Sequence, residues 1–411
     1  MASHPIRNPA FNISILFSTR IIRLFCYGFL SVVLALYLSE SGLTEGQIGL
    51  LFTLTLVGDA FISLWLTTSA DRLGRKRTLI LGALLMVGAG LAFVLTQNFI
   101  LLTLAAIVGV ISPSGKEIGP FLSVEQAGIT QLISNQKRTQ FFAWYNLIGS
   151  FATASGALAS GWLAQILQDY EWTALQAYRI VFIGYAVGGF ILFLLFLRLT
   201  ESIEPESTKD SIKRILGLHR SRKVVLKLSS LFAMDAFAGG LLVESFIAYW
   251  FHVRFGVESG VLGSIFFGAN ILAGISALLA IRLANQIGLI NTMVFTHLPS
   301  NILLILVPLM PTLPLAIGIL LLRFSISQMD VPTRQSYTMA VVAPDERSAA
   351  SGVTSIARSV GASVSPMLTG LFFSIPVLFN APFFLAGALK TIYDLLLYRE
   401  FRALRPPEEN M

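Results

Sequence analysis

Apolar residues fill this chain in blocks about as long as a bilayer is thick, and that feature leaves few folds open. Runs near 14–39, 45–69, 77–96, 99–130, 141–165 and 177–199 precede a second set near 224–251, 257–284, 291–310, 314–342, 352–374 and 380–398. About 20 apolar residues in a helix cross the hydrocarbon core, where each backbone polar group must be satisfied within the helix. Twelve membrane spans are therefore predicted. Hydrophobic residues make up 55% of the 411 positions and charged ones 12%, with a mean hydropathy of +0.75, which excludes an ordinary water-soluble protein. The single Cys26 lies inside the first run, so disulfides play no part. No small-residue cleavage site follows that run, which reads as a retained helix and not a removed signal peptide.

Charge placement orients the spans. The connections at 40–46, 97–98, 166–176, 311–313 and 375–379 contain no Lys or Arg. Those on the other side carry Arg72, Arg75, Lys76, Arg77, Lys137, Arg138, Arg347, Arg399, Arg402 and Arg405. Basic loops stay cytoplasmic, so both termini are expected there, in a plasma or bacterial inner membrane. Arg254 on an outer loop and the poorly charged inner loop after the eighth run, with Arg282, depart from the pattern. The net charge of +7 follows from this topology, and no basic soluble domain suggests a nucleic-acid partner. At the midpoint, 200–223 is polar and basic, with Ile212, Ile215, Leu216 and Leu218 at helical spacing. It reads either as a short amphipathic helix on the inner leaflet or as a plain solvated linker.

Between the second and third runs stands Thr67-Thr-Ser-Ala-Asp71-Arg72-Leu-Gly74-Arg75-Lys76-Arg77-Thr78. The string resembles the loop signature of the major facilitator superfamily, G-x-L-A-D-R-x-G-R-R/K. Thr67 replaces its first glycine and Ser69 its leucine. An internal repeat accompanies it: Ala284-Asn-Gln-Ile-Gly288-Leu-Ile-Asn-Thr292 follows Ala70–Thr78 at an offset of 214, keeping alanine, glycine and threonine and losing every charge. Gly49 and Gly263 match at the same offset, while an offset of 209 pairs Arg138 with Arg347 and Gly161 with Gly370. Parallel repeats of this kind occur in that superfamily. The resemblance implies an all-α polytopic membrane protein of twelve transmembrane helices in two pseudo-symmetric six-helix halves around a central cavity. The halves would be 1–199 and 224–411, joined by 200–223. It further implies a cytoplasmic gate at Asp71, Arg72, Gly74, Arg75 and Lys76. There Asp71 meets a helix N-terminus, which favours a carboxylate, and the basic residues hold neighbouring helix ends. The same arginines also act as a topology signal.

Ionisable residues deep in a span are expensive and are functional candidates by default. In span 10, Arg323, Ser327, Asp330 and Arg334 stand at i, i+4, i+7 and i+11, one face of a helix, with a kink expected at Pro332. Arg358 in span 11 lies as far from the shared turn as Asp330, so a pair between them is geometrically allowed. Span 4 contributes Lys116, Glu117 and Glu125, with Glu125 matching Arg334 at the offset of 209. Span 1 adds Arg20 and Arg23, which either reach the pathway or snorkel to the surface; span 7 offers Asp235 and Glu244, nine residues apart and so on opposite faces. In the resembled family spans 1, 4, 7 and 10 line the cavity. The candidate substrate and ion pathway is therefore Arg20, Arg23, Lys116, Glu117, Glu125, Asp235, Asp330, Arg334 and Arg358, with Arg358 and Asp59 favouring a structural pairing. His297 reads as a satisfied buried polar residue before a proton carrier.

A helix-5 string of the family's antiporters, ending G-P-x-x-G-G, is matched without its proline by Gly156–Gly161 and with it by Ser365–Gly370. Small residues at these spacings predict close helix packing. No phosphate-binding loop, H-E-x-x-H or G-x-S-x-G string occurs, so a pump or intramembrane enzyme is not indicated, nor any cofactor or metal. The expected function is secondary active transport of a small organic solute by alternating access, as proton-coupled efflux from a monomer. A uniporter, an uptake symporter for a charged metabolite, and a transport-inactive receptor on the same fold stay open.

Overall fold

The computed structural model describes residues 9–117, 119, 121–133, 138–204 and 219–404. The linker stretch 205–218, Lys137, Pro120 and Arg405 lie outside the described residues, as do the side chains of Asp71, Arg72 and Arg138. Among the described residues the chain is helical, with short 3-10 turns and no strand. The helices are α1 (Pro9–Ser31), α2 (Leu34–Glu40), α3 (Glu45–Leu73), α4 (Arg75–Leu95), α5 (Phe99–Val108), α6 (Phe121–Leu132), α7 (Arg138–Asp169) and α8 (Ala174–Leu197). There follow α9 (Arg222–Leu241), α10 (Glu244–Phe255), α11 (Ser259–Ile287), α12 (Leu289–Leu306), α13 (Leu313–Phe324), α14 (Asp330–Ala340), α15 (Arg347–Phe373) and α16 (Ala381–Phe401). Ten helical stretches are long and apolar enough to cross a membrane, and the shorter apolar α5 and α13 supply the remaining two of a twelve-span architecture.

Spans 1, 4, 7 and 10 are each broken in two. All four breaks correct continuous helices expected over 14–39, 99–130, 224–251 and 314–342. In span 4, α5 stops at Val108, after which Val110 (φ 57°), Gly115 (φ 64°) and Gly119 (φ 78°) take left-handed backbone that no α-helix continues. In span 10, α13 stops at Phe324 and α14 restarts at Asp330, which puts Pro332 in a first turn. A proline there needs no N–H partner within the helix, so the chain restarts where a kink was expected. Arg323 therefore shares no helix with Asp330 and Arg334. In span 7, Leu242 and Val243 separate α9 from α10, so Asp235 and Glu244 belong to different helices.

The helices form two compact units. The first gathers Met1–Gly42, Gly58–Ser211 and Glu258–Ser264; the second gathers Leu43–Val57, Ile212–Val257 and Ile265–Met411. Each includes one glycine crossing. In the first, a Cβ on Gly161 would stand 2.7 Å from the Gly263 Cα; in the second, a Cβ on Gly370 would stand 2.9 Å from the Gly49 Cα. Backbones this close leave room for hydrogen alone, the packing that small residues permit in lipid. The repeat extends to local backbone. Helices α4 and α12 both start after a glycine with positive φ, Gly74 (95°) and Gly288 (87°). Four residues on, Thr78 and Thr292 donate their hydroxyls to those glycine carbonyls at 3.0 and 2.8 Å.

Candidate functional site

In the first unit the charges close on one another. Helix α1 carries Arg20 and Arg23 one turn apart, facing Glu117 in the span 4 break and Glu125 on α6. Arg23 grips Glu125 with both terminal nitrogens, each at 2.7 Å, and reaches Glu117 through Nε at 2.8 Å. Arg20 Nη1 holds the other Glu117 oxygen at 2.8 Å. Thr19 Oγ1 donates to Glu125 at 3.0 Å, and the Tyr145 hydroxyl donates to its second oxygen. Arg20 lies over the Tyr145 ring, 4.2 Å from its centroid. Arg23 and Glu125 are fully buried. Two arginines meet two glutamates, so this cluster is balanced and satisfied. The fork geometry excludes snorkelling for Arg20 and Arg23, which point inward to anions. Asp59 accepts the Gly119 N–H at 2.7 Å and the Ser63 hydroxyl at 3.1 Å, pinning the broken segment that presents Glu117. Lys116, in the same segment, is exposed, so the structure does not bring it into this buried cluster.

The second unit is built around Asp235 on α9. Lys390 Nζ of α16 holds its Oδ1 at 2.6 Å, while Oδ2 receives Arg358 Nη1 of α15 at 3.0 Å and Arg334 Nη1 of α14 at 3.3 Å. Arg334 Nη1 also meets Asp330 Oδ2 at 2.6 Å, one turn away. The expected pairing of Asp330 with Arg358 is thus replaced: Asp330 spends its carboxylate on Arg334, and Arg358 turns to Asp235. Behind them His297 Nδ1 of α12 lies 2.9 Å from Asp394 Oδ1 of α16, and Asn301 donates to Asp394 Oδ2 at 2.7 Å. Arg323, near enough to feel the Asp235 charge, has no ion pair among the described residues, and its buried Nε has no hydrogen-bond partner. Four cations (Arg323, Arg334, Arg358, Lys390) face three carboxylates (Asp235, Asp330, Asp394). Arg358 keeps 33% of its side chain exposed, so the cluster is accessible on that side.

The sequence reading missed Lys390 and Asp394. They stand at i and i+4 inside an apolar span, the same signal that drew attention to Asp330 and Arg334. Tyr145 and Asn301 carried no signal, because a lone polar ring or amide in a span is common and only its tertiary neighbour gives it a role. Across the repeat the pairing is charge-inverted: arginine on α1 meets glutamate on α6, while aspartate on α9 meets arginine on α14.

Around the Asp71–Lys76 loop, the described contacts come from its second half. Glu204 accepts the backbone N–H groups of Arg75 and Lys76 at 2.7 and 3.0 Å, a carboxylate seated on the N-terminus of α4. Gly74 is favoured there by its positive φ, which side-chain-bearing residues rarely adopt. Arg75 Nη1 donates to the Ile203 carbonyl at 3.0 Å, and Lys76 Nζ ties the carbonyls of Leu197 and Leu199 at 2.8 and 2.7 Å, at the end of α8. The second unit has its own version. Glu346 accepts the backbone N–H of His219, and those of Arg220 and Ser221 at 2.8 Å each, at the start of α9. These donors, the His219 amide first among them, hold the Glu346 carboxyl down at about 2 from an ordinary 4.5. A depressed folded value means the stabilisation is complete above about pH 4.5 and disappears as pH falls toward 2. The unfolding midpoint of Glu346→Gln should therefore fall less steeply than that of the parent across this window. Parallel acid slopes would show that the cap carries no charge-dependent stability.

Comparisons with known proteins agree with this architecture. The profile of the Major Facilitator Superfamily matches residues 16–366. An uncharacterized membrane protein of Saccharomyces cerevisiae is 31% identical over 417 residues, covering 94% of this chain and 93% of that one. The quinolone resistance protein NorA of Staphylococcus aureus is 22% identical over 406 residues, covering 93% and 95%. Among solved structures, a bacterial homolog of the human lysosomal transporter Spinster, inward-facing and occupied, superposes with a TM-score of 0.75 at 18% identity, covering 98% of this chain and 99% of that one. The nucleoside transporter NupG gives 0.75 at 14% identity, covering 95% and 99%. At these identities the two structures establish the fold alone.

Proposed function

The chain belongs to the major facilitator superfamily, an integral multi-pass membrane protein built for secondary transport of a small solute, and from that premise we propose that its solute bears an anionic group. The observation that carries this reading is the unmatched cation of the second unit: Arg323, with a buried Nε that has no hydrogen-bond partner, is the fourth cation beside three carboxylates. A half-buried cation within a span that lacks its anion is costly, and an anionic solute would supply it. Arg334 and Arg358 offer planar forks suited to a carboxylate, sulfonate or phosphate. The balanced cluster of the first unit has no such vacancy. Protons are the coupling ion in this reading, the working form is a monomer, and both termini face the cytoplasm on the strength of the basic loops.

A sulfonate stays ionised at any working pH and serves as a probe. Benzenesulfonate should raise the unfolding midpoint of the purified protein, while neutral benzenesulfonamide should not. Arg323→Gln and Arg334→Lys should each weaken benzenesulfonate binding by about tenfold or more, since a hydrogen bond to a charged group is worth about 1.5–3 kcal/mol. Equal binding of the two probes, or an unchanged affinity in both variants, would overturn the anion reading. A second reading, efflux in exchange for protons, has the full-length likeness to NorA in its favour. It predicts accumulation into acid-interior vesicles containing the protein in its export orientation.

A further inference from the structure

We propose that His297 is the proton-binding group of this transporter, and that its protonation tightens the second unit's grip on an anionic solute; the proposal rests on the reading that this unit takes an anion. His297 is buried between two carboxylates, with Nδ1 2.9 Å from Asp394 Oδ1 and Nε2 3.9 Å from Asp235 Oδ1. An ionised carboxylate only accepts, so the ring nitrogen beside Asp394 carries the hydrogen of the neutral imidazole. Asn301, donating to the other Asp394 oxygen, holds that carboxylate in place. Nε2 then carries a bare lone pair 3.9 Å from a second acceptor, with no hydrogen between them. One proton passes from a hydronium ion to Nε2: the new N–H forms as one O–H of the hydronium breaks, and a water molecule is left.

The oxygen it meets, Asp235 Oδ1, is the one that Lys390 grips at 2.6 Å. The new charge therefore stands near the Lys390 ammonium beside the same oxygen and raises the local count from four cations to five against the same three carboxylates. Every charged group packed around the ring takes part. Asp235 comes from α9, while Lys390 and Asp394 come from α16, which also sets the Tyr393 ring edge-on with centroids 6.0 Å apart. From α14, Arg334 and Asp330 join through Asp235, as does Arg358 from α15, and Arg323 on α13 feels the same carboxylate. The other carboxylates proposed for the pathway are committed. Glu125 is forked to Arg23, Asp330 holds Arg334, and Asp235 holds three cations. Protonating any of those breaks an ion pair, whereas protonating His297 breaks none. Proton and anion then bind with the same sign of cooperativity, which favours their carriage together.

The test uses purified full-length protein and measures benzenesulfonate affinity at about pH 5.5 and about pH 8. The parent should bind about tenfold or more tightly at the lower pH, because a unit charge added at this range in a partly desolvated site is a large term. His297→Gln keeps a donor toward Asp394 but cannot titrate, so it should bind equally at both pH values, near the parent's weaker affinity. Asp394→Asn, which removes the carboxylate that sets the tautomer, should flatten the response as well and stands in if the first variant is unstable. A full parental pH response in either variant overturns the proposal. Absence of binding by the parent at both pH values overturns the anion reading beneath it, and the proposal with it. Tighter binding at the higher pH would show competition between proton and anion, and would likewise overturn it.

Discussion

Arg23→Met is expected to destabilise the protein by about 3–5 kcal/mol, read as a large fall in the unfolding midpoint, because it leaves a fully buried Glu125 without its counter-ion. Methionine conserves much of the side-chain volume, so the loss reports the charge and not a cavity. The double variant Arg23→Met with Glu125→Leu should recover much of that loss. Removing both members of the fork leaves Arg20 and Glu117 paired at 2.8 Å and the unit still balanced. Recovery falls short of complete, since Thr19 and Tyr145 both lose the acceptor that their hydroxyls now share. A double variant no more stable than the single one would show that Arg23 acts through packing against Phe121, whose ring centroid lies 4.8 Å from its guanidinium carbon, and not through charge.

Asp235→Asn should cost a similar amount, about 3–5 kcal/mol, and should abolish transport. The substitution keeps the shape and removes the one anion shared by Lys390, Arg358 and Arg334. Here no single apolar replacement restores balance, because Lys390 and Arg358 both rely on this carboxylate and Arg334 shares it with Asp330. Benzenesulfonate should instead stabilise Asp235→Asn more than it stabilises the parent, since the vacated cations offer themselves to an external anion. That combination, a less stable protein with a larger ligand-induced rise in midpoint, separates an ion hub from a packing residue. A variant that loses stability with no gain in response to the sulfonate would place Asp235 among purely structural pairs.

Much of this architecture is legible along the chain. Span number follows from the length of apolar runs, because a bilayer admits only helices that satisfy their own backbone. The twofold repeat is readable because Gly74 and Gly288, with Thr78 and Thr292, build the same local turn whatever surrounds them. Buried charges stand out individually for the same reason: any ionisable side chain in a span is conspicuous. Partner choice among them was a different matter. Arg358 turned to Asp235 and not to Asp330, Glu204 came from beyond α8 to cap α4, and Lys390 with Asp394 joined from a span where no charge had been singled out. Helical periodicity says which residues share a face, but ion pairing depends on the approach of helices distant in sequence. It also depends on where a helix breaks: the restart at Asp330 separated Arg323 from Arg334, two residues that an unbroken helix would have aligned. Charge balance is a sum over such neighbours. The balance of the first unit's buried cluster and the unmatched cation of the second unit's were therefore decided by tertiary structure alone.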